Sequence, residues 1–388
     1  MLSTRVAMNE VPFAEVRAWM FDHALPFWGT TGVDRRRGGF FEELDLHGRP
    51  TAVAYKRTRA MCRQIYVFSH AALLGWGDGN ALAAMGYEYL VSRAWMGPDK
   101  GWARRLTADG AVLDPTPDLY DLAFVLFALS WHYKASGDGE VLRRAHETLD
   151  FIERRMTHSG GQGFVHEWPA SGPRVQNPHM HLLEASLVAF DATGDGRFRD
   201  CARSLVELFH TSFFDGRTLA EYFTEDWCRL PNEQGRLVEP GHQFEWAWIL
   251  ANYQRLIGVD LSRDASALVL FAERYGVDPA THVTFNQVRD DGTPVDRGSR
   301  SWPNTERIKG HLALFELDGR TDAVPAVAGS ARLLLDRYLA VSPRGSWIDH
   351  FDADRHPIST TAPTSTLYHV FLAFAEILRL EPRLTVLG

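Results

Sequence analysis

The sequence predicts an all-α fold: six helical hairpins closed into a toroid, an (α/α)6 barrel with short β-hairpin excursions at one end. Three observations predict it. First, a small unit recurs six times: a glycine or small residue, an aromatic, a few polar or acidic residues, a turn, then helix. It reads GGFFEELDLHGRP, GWARRLTADGAV, GFVHEWPASGPR, AEYFTEDWCRLPNEQGR, TFNQVRDDGTP and SWIDHFDADRHP. Its leading aromatics, Phe40, Trp102, Phe164, Tyr222, Phe285 and Trp347, lie 62, 62, 58, 63 and 62 residues apart, the self-similarity that marks a repeat architecture. Second, each unit carries two stretches with apolar residues at i, i+3, i+4 and i+7, the stripe of an amphipathic helix. Third, both terminal helices are apolar over much of their surface, the first through Phe13, Trp19, Phe21 and Phe27, the last through PTSTLYHVFLAFAEILRL. A linear solenoid needs polar caps on its terminal repeats. Closure into a ring buries both ends instead.

Taken in order, the stripes place twelve helices over 11–28, 57–76, 79–96, 118–136, 138–157, 178–193, 197–214, 241–257, 260–277, 300–316, 320–338 and 363–380. Asp118 and Asn177 stand where helices should start, and Gly77, Gly137 and Gly194 where they should stop. The GDG segments at 77–79, 137–139 and 194–196 read as tight turns inside the helical hairpins. The aromatic-acidic units read as short strand-turn-strand excursions, with DDG at 290–292 a good hairpin turn. Length alone, at about 150 residues per domain, suggests two or three domains. The repeat replaces that with one domain over 1–388.

The composition narrows the function classes. Of the side chains 41 are basic and 49 acidic, a net charge of −8, which argues against binding a phosphate backbone. An aromatic fraction of 12% argues against disorder. Cys62, Cys201 and Cys228 show no CxxC spacing, so neither a disulfide framework nor a structural zinc site is expected. No signal-peptide layout and no membrane-length apolar run is present. The expectation is a reduced, cytoplasmic protein, monomer or homodimer, binding neither nucleic acid nor membrane.

In a closed ring the helix starts that follow the long excursions gather at one end around the axis, and loops on one face of a rigid scaffold carry function. The residues collected there are Arg63 and Tyr66; Tyr120; Asn177, His179, His181 and Glu184; His242, Glu245 and Trp246; Arg300, Trp302, Asn304 and Glu306; Tyr368 and His369. His181/Glu184 and His242/Glu245 are both i, i+3 pairs, which puts each carboxylate on the helical face of its imidazole. A carboxylate beside an imidazole fixes its tautomer and raises its basicity, as a proton-transfer catalyst near neutral pH requires.

Other uses of these residues are weaker. HMH at 179–181 points its rings to nearly opposite sides of a helix, and neither HExxH nor an EF-hand loop is present, so no metal is expected. GxGxxG, Walker A and GxSxG strings are absent, and Cys62 and Cys201 fall at apolar helical positions. No cofactor is expected. Trp19, Trp76 and Trp131 fall in helical stripes and read as core. Trp168, Trp227, Trp246, Trp302 and Trp347 fall near the gathered end, where a ring face can stack on a sugar or simply pack the mouth. Glu184, Glu245 and Glu306 also allow a glycoside hydrolase with paired carboxylates, and a non-catalytic binding protein is a third class.

The strings CRQIYVFSHA, YDLAF, QNPHMHLLEA, EPGHQFEW and LYH, in this order and at even spacing over almost the whole chain, resemble the N-acylglucosamine 2-epimerase superfamily. The resemblance implies an (α/α)6 barrel and cofactor-free proton transfer at C2 of an open-chain sugar. It implies His369 as the base at C2, with His242 opening the ring and completing proton transfer through a cis-enediolate. Glu245 would orient His242, and Arg63 would stabilise the enediolate oxygen. Tyr120, Asn177, His181, Glu184 and Glu306 would bind substrate, and Trp302 would stack. SWPNTERIKG departs from the W-W-x-Q-A-E pattern of the cellobiose and N-acylglucosamine epimerases and resembles the mannose-isomerase or phosphosugar-isomerase-like branch. That ranks D-mannose to D-fructose isomerisation first, and 2-epimerisation of glucose and mannose, or a sulfo- or phosphosugar isomerase, second.

Overall fold

The computed structural model describes residues 10–387. Among these, the twelve helices form two concentric rings. The inner ring is α2 (Thr58–Leu73), α4 (Leu119–Ser136), α6 (Asn177–Thr193), α8 (Pro240–Ile257), α10 (Ser301–Asp318) and α12 (Leu367–Leu384). The outer ring is α1 (Phe13–Ala18, continued through a π-turn Trp19–Ala24 into Leu25–Thr30), α3 (Gly79–Ala94), α5 (Gly139–Phe151), α7 (Gly196–Leu208), α9 (Ser262–Gly276) and α11 (Val324–Leu333). Each inner helix packs on the next, and α12 returns to pack on α2, so the ring is closed. An Arg17–Glu381 ion pair at 2.6 Å ties α1 to α12 at the seam.

The two rings differ because their sequences do. The outer α5 buries Val141, Ala145, Thr148 and Leu149, one stripe facing inward. The inner α4 buries twelve of its eighteen residues, as a helix surrounded on all sides must. Asp118, Asp138 and Asp195 cap α4, α5 and α7 by accepting a backbone N–H, and Gly137 and Gly194 end α4 and α6 with φ of 68° and 69°, where a Cβ would be strained. Three expected boundaries shift. Helix α2 stops at Leu73, before Gly77. Asn177 is the first residue of α6 rather than a cap. Helix α12 starts at Leu367, because 361–363 form a strand instead.

The excursions form small antiparallel sheets that stitch neighbouring repeats at one end. They are β2 (Tyr55–Arg57) with β3 (Arg105–Thr107) and β4 (Val112–Asp114), and β5 (Arg174–Val175) with β6 (Tyr222–Phe223). Next come β7 (Leu237–Val238) with β8 (Gln287–Arg289) and β9 (Pro294–Asp296), and β10 (Ser299–Arg300) with β11 (His350–Phe351). The first and last repeats are joined by β1 (Glu43–Asp45) against β12 (Thr361–Pro363), in register Glu43↔Pro363.

The repeat also has a backbone signature. Val33↔Phe40, Trp95↔Trp102, Thr157↔Phe164, Phe214↔Leu219 and Val277↔Thr284 each bridge the end of an outer helix to its excursion. Leu219, not Tyr222, therefore occupies the fourth repeat's position, and Thr284, not Phe285, the fifth. In four repeats the bridging N–H is accepted by an inner-helix side chain: Met61, His179, Gln243 or Asn304. This fixes His179 as structural. Its Nε2 accepts from Phe164 at 3.0 Å while Nδ1 donates to the Val175 carbonyl at 3.0 Å.

Candidate active site

At the stitched end the inner helices surround a cavity of about 370 Å³, at the small end of ligand pockets (~300–1,000 Å³). Arg63, Tyr120, Asn177, His181, His242, Glu245, Trp302 and His369 all line it. Glu184 and Glu306, expected to touch substrate, do not line it but lie buried beneath it, Glu184 against a second cavity of about 220 Å³. The Trp302 indole stands between the two candidate catalytic histidines, with ring centroids 5.2 Å from His242 and 5.5 Å from His369. Gly241 makes that possible: a Cβ there would lie 2.5 Å from the Trp302 ring. Of the other tryptophans expected near this end, Trp227, Trp246 and Trp347 are buried in packing and Trp168 faces solvent.

His242 Nδ1 donates to Glu221, 3.0 and 3.1 Å from its two oxygens. Glu221 is locked by Gln176 Nε2 at 2.7 Å and by the Glu239 N–H at 3.2 Å. The expected orienting residue, Glu245, makes no hydrogen bond to His242 and instead faces Lys309, 3.8 Å away. The i, i+3 rule fails here because a carboxylate from the preceding excursion reaches the ring first. Burial alone would lower the His242 pKa, but Glu221 and Glu239 overcome it and raise it to about 9, which keeps the ring an imidazolium.

His369 is the opposite case. Its Nδ1 lies 2.8 Å from Glu306 Oε1, yet burial, with Arg63, Lys309, His181 and His242 nearby, holds its pKa well below the usual histidine value. The ring is therefore neutral. Burial and the neighbouring Glu245 push Glu306 well above the usual carboxyl range.

The remaining wall is rigid. Arg63 donates to the Tyr120 hydroxyl at 2.6 Å and to the Ser365 carbonyl at 3.2 Å. Its guanidinium carbon lies 4.2 Å from the Phe124 ring centroid and 4.9 Å from that of Tyr368. The predicted His181/Glu184 pair forms, Nδ1 to Oε2 at 3.2 Å, and Tyr368 donates to the same carboxylate at 2.7 Å. Asn177 Oδ1 is buried without a protein partner, an acceptor left for a ligand hydroxyl. Cys62 and Cys201 are buried as expected, and burial raises both thiols.

Sequence reasoning missed Glu221, Gln176, Glu239 and Lys309. Nothing in helical spacing points to Glu221, which sits in a non-helical excursion. Lys309 was findable, because it stands i, i+3 from Glu306, the spacing that singled out the histidine pairs.

The model of the N-acylglucosamine 2-epimerase (GlcNAc 2-epimerase) family matches residues 39–373, and the chain belongs to that family. A mannose-6-phosphate isomerase of Rhizobium meliloti is 34% identical over 372 residues, covering 94% of this chain and 96% of that one. A D-mannose isomerase of Thermobifida fusca is 30% identical, covering 84% and 89%. The cellobiose 2-epimerase structure from Spirochaeta thermophila superposes with a TM-score of 0.84 at 25% identity over 97% of both chains. The protein is thus an (α/α)6-barrel enzyme, a sugar isomerase or 2-epimerase with a small-molecule substrate. Among the described residues no helix is long and apolar enough to cross a membrane.

Proposed function

We propose that the enzyme interconverts D-mannose and D-fructose as free sugars, by proton transfer between C2 and C1. The observation that carries this is the pair of histidines flanking Trp302, one held charged by Glu221 and one held neutral. Such a pair is a general acid facing a general base. His242 donates a proton to the ring oxygen and takes up the C1 hydroxyl proton as the C1–O5 bond breaks and the pyranose opens. His369 removes the C2 proton, whose electron pair forms the C1=C2 bond while charge moves to the C1 oxygen. Arg63, held by Tyr120 and two aromatic faces, stabilises that cis-enediolate. His369 returns the proton to C1 while the O2 proton passes by way of His242 to the C1 oxygen, which leaves a carbonyl at C2 and a hydroxyl at C1, the ketose. Tyr120, Asn177 and His181 hold hydroxyls, Glu245 faces the substrate, and Trp302 stacks on it. Glu221 and Glu306 position the two histidines.

The cavity's cations favour an unphosphorylated substrate. Arg57 is paired with Glu42 and Arg300 contacts Glu239, while Arg229 and Arg236 are engaged by Asp290 outside the cavity. The Rhizobium relative's name supports a second reading, mannose 6-phosphate, with Arg57 and Arg300 at the rim exchanging partners to meet the phosphate. The carboxylates do not favour hydrolysis, since Glu184 and Glu306 lie beneath the cavity. Incubating D-mannose and D-mannose 6-phosphate in deuterated water tests all of these. Fructose formation with exchange on free mannose supports the proposal, and a higher kcat/KM on the phosphate shifts it to the second reading. Glucose formed before fructose shows 2-epimerisation, and no exchange on any aldose rejects both isomerase and epimerase.

A further inference from the structure

Below the cavity a lysine occupies the barrel axis. Lys309 follows Glu306 by one turn of α10 and is fully buried, as is Glu306. Its Nζ lies 2.6 Å from Glu306 Oε2 and 3.8 Å from Glu245 Oε1, 4.4 Å from the Trp248 ring centroid and 5.9 Å from that of Tyr368. It does not line the cavity, so it cannot touch a sugar. One carboxylate is therefore shared: Glu306 gives Oε1 to His369 Nδ1 at 2.8 Å and Oε2 to the ammonium. We infer that Lys309 is a positioning residue that acts on the base His369 through Glu306. Its ammonium keeps that carboxylate aimed at Nδ1 and supplies a counter-charge in contact with it as the imidazole takes up the substrate proton.

The physical reason is charge accounting in a buried volume. Glu184 from α6, Glu245 from α8 and Glu306 from α10 converge here, faced by His181, Tyr368 and His369, with Arg63 beyond His369. A buried carboxyl without a counter-charge takes up a proton, and like charges drive it further that way. Lys309 is the cation that opposes this at Glu306. Burial works against its own charge, but Glu306, Glu245 and Glu184 outweigh it and raise its pKa. A buried ammonium is costly unless paired and hydrogen-bonded, and apolar packing between Trp248 and Tyr368 does not ask for one. When His369 Nε2 takes the C2 proton and the electron pair enters the C1=C2 bond, Nδ1–H continues to donate to Glu306. An anionic partner stabilises the resulting imidazolium, which a neutral carboxyl cannot do.

The inference rests on the isomerase reading and is tested by a double-mutant cycle on D-mannose with Lys309→Met, Glu306→Gln and both. Lys309→Met should lower kcat by roughly 10²-fold, within the range of general-base contributions, and leave KM near wild type. In the Glu306→Gln background the same change should have little further effect. Additive losses, or a raised KM with kcat intact, would overturn the inference. The double variant removes both charges and serves as the folded comparator, checked by thermal melting, should Lys309→Met alone be unstable. If wild type exchanges no aldose at C2, the isomerase reading fails separately. Nitrogen-15 spectra of His369 still decide the linkage then: loss of the Nδ1–H···Glu306 signal in Lys309→Met supports it, and an unchanged spectrum rejects it.

Discussion

Two histidines at equivalent repeat positions, His242 on α8 and His369 on α12, face one cavity across one tryptophan, yet their surroundings drive them apart. Behind His242 stands Glu221, from an excursion, tied to Gln176 and the Glu239 N–H and, among the described residues, in an ion pair with His242 alone. Behind His369 stands Glu306, from a helix, tied to Lys309 and crowded by Glu245. The first carboxylate keeps its imidazole protonated. The second must share its charge with an ammonium, while Arg63, Lys309, His181 and His242 all disfavour a proton on His369. Similar residue types are held charged and neutral by what lies one layer further out.

The strongest way to break this comparison is to remove one histidine at a time. His369→Ala should abolish both fructose formation and deuterium exchange at C2, a loss of at least ~10²–10⁴-fold. His242→Ala should suppress turnover of the pyranose by a similar factor. Unimpaired sugar conversion in His369→Ala would sink the two-histidine scheme. Gly241→Ala touches both sides at once, because its Cβ would displace the Trp302 ring. A higher KM for mannose, with smaller effect on kcat, is the expected result in steady-state kinetics.

The pH profile sharpens the comparison with a smaller effect. Wild-type kcat/KM should hold through neutral pH and fall as pH rises through about 9, where His242 loses its proton. The acid limb lies well below pH 6.5, where His369 gains one. Glu221→Gln should bring the alkaline limb down by a unit or more, each unit being about 1.4 kcal/mol of differential interaction. A limb that stays near 9 would assign it to another group. A chelator should leave the rate unchanged, since the Lys309 ammonium already occupies the space among Glu245 and Glu306.

Two histidines outside the cavity supply the smallest effect and a control. Burial lowers His70 to about 3 and His179 to about 4. The unfolded chain binds protons at these sites near pH 6.5 and the folded chain does not, so stability is full above that pH and falls as pH drops toward 4. Thermal melts between pH 7 and 4 should show His179→Gln less acid-sensitive than wild type, whatever its melting point at neutral pH.

Much of this was legible in the residues, for identifiable reasons. Helical periodicity and an even repeat are local properties, so the ring of hairpins, the GDG turns and the gathering of Arg63, Tyr120, Asn177, His181, His242, Trp302 and His369 follow from spacing. The His181/Glu184 pair follows too, because both partners share a helix. Partners of His242 and His369 do not, since Glu221 reaches His242 from the excursion before its helix and Glu306 reaches His369 from the preceding repeat, 21 and 63 residues away. Glu245, at the right helical spacing from His242, turned to Lys309 instead.

What the sequence by itself determined is the architecture and the set of side chains at the mouth: a period of about 62 residues repeats the same amphipathic unit until the ring closes. Which carboxylate serves which imidazole, which groups touch the cavity and which lie beneath it were decided only when the ring closed. Closure is the step that brings α6, α8, α10 and α12 to one axis, and electrostatic identity at that axis depends on distances of a few ångströms between chains of atoms far apart in sequence.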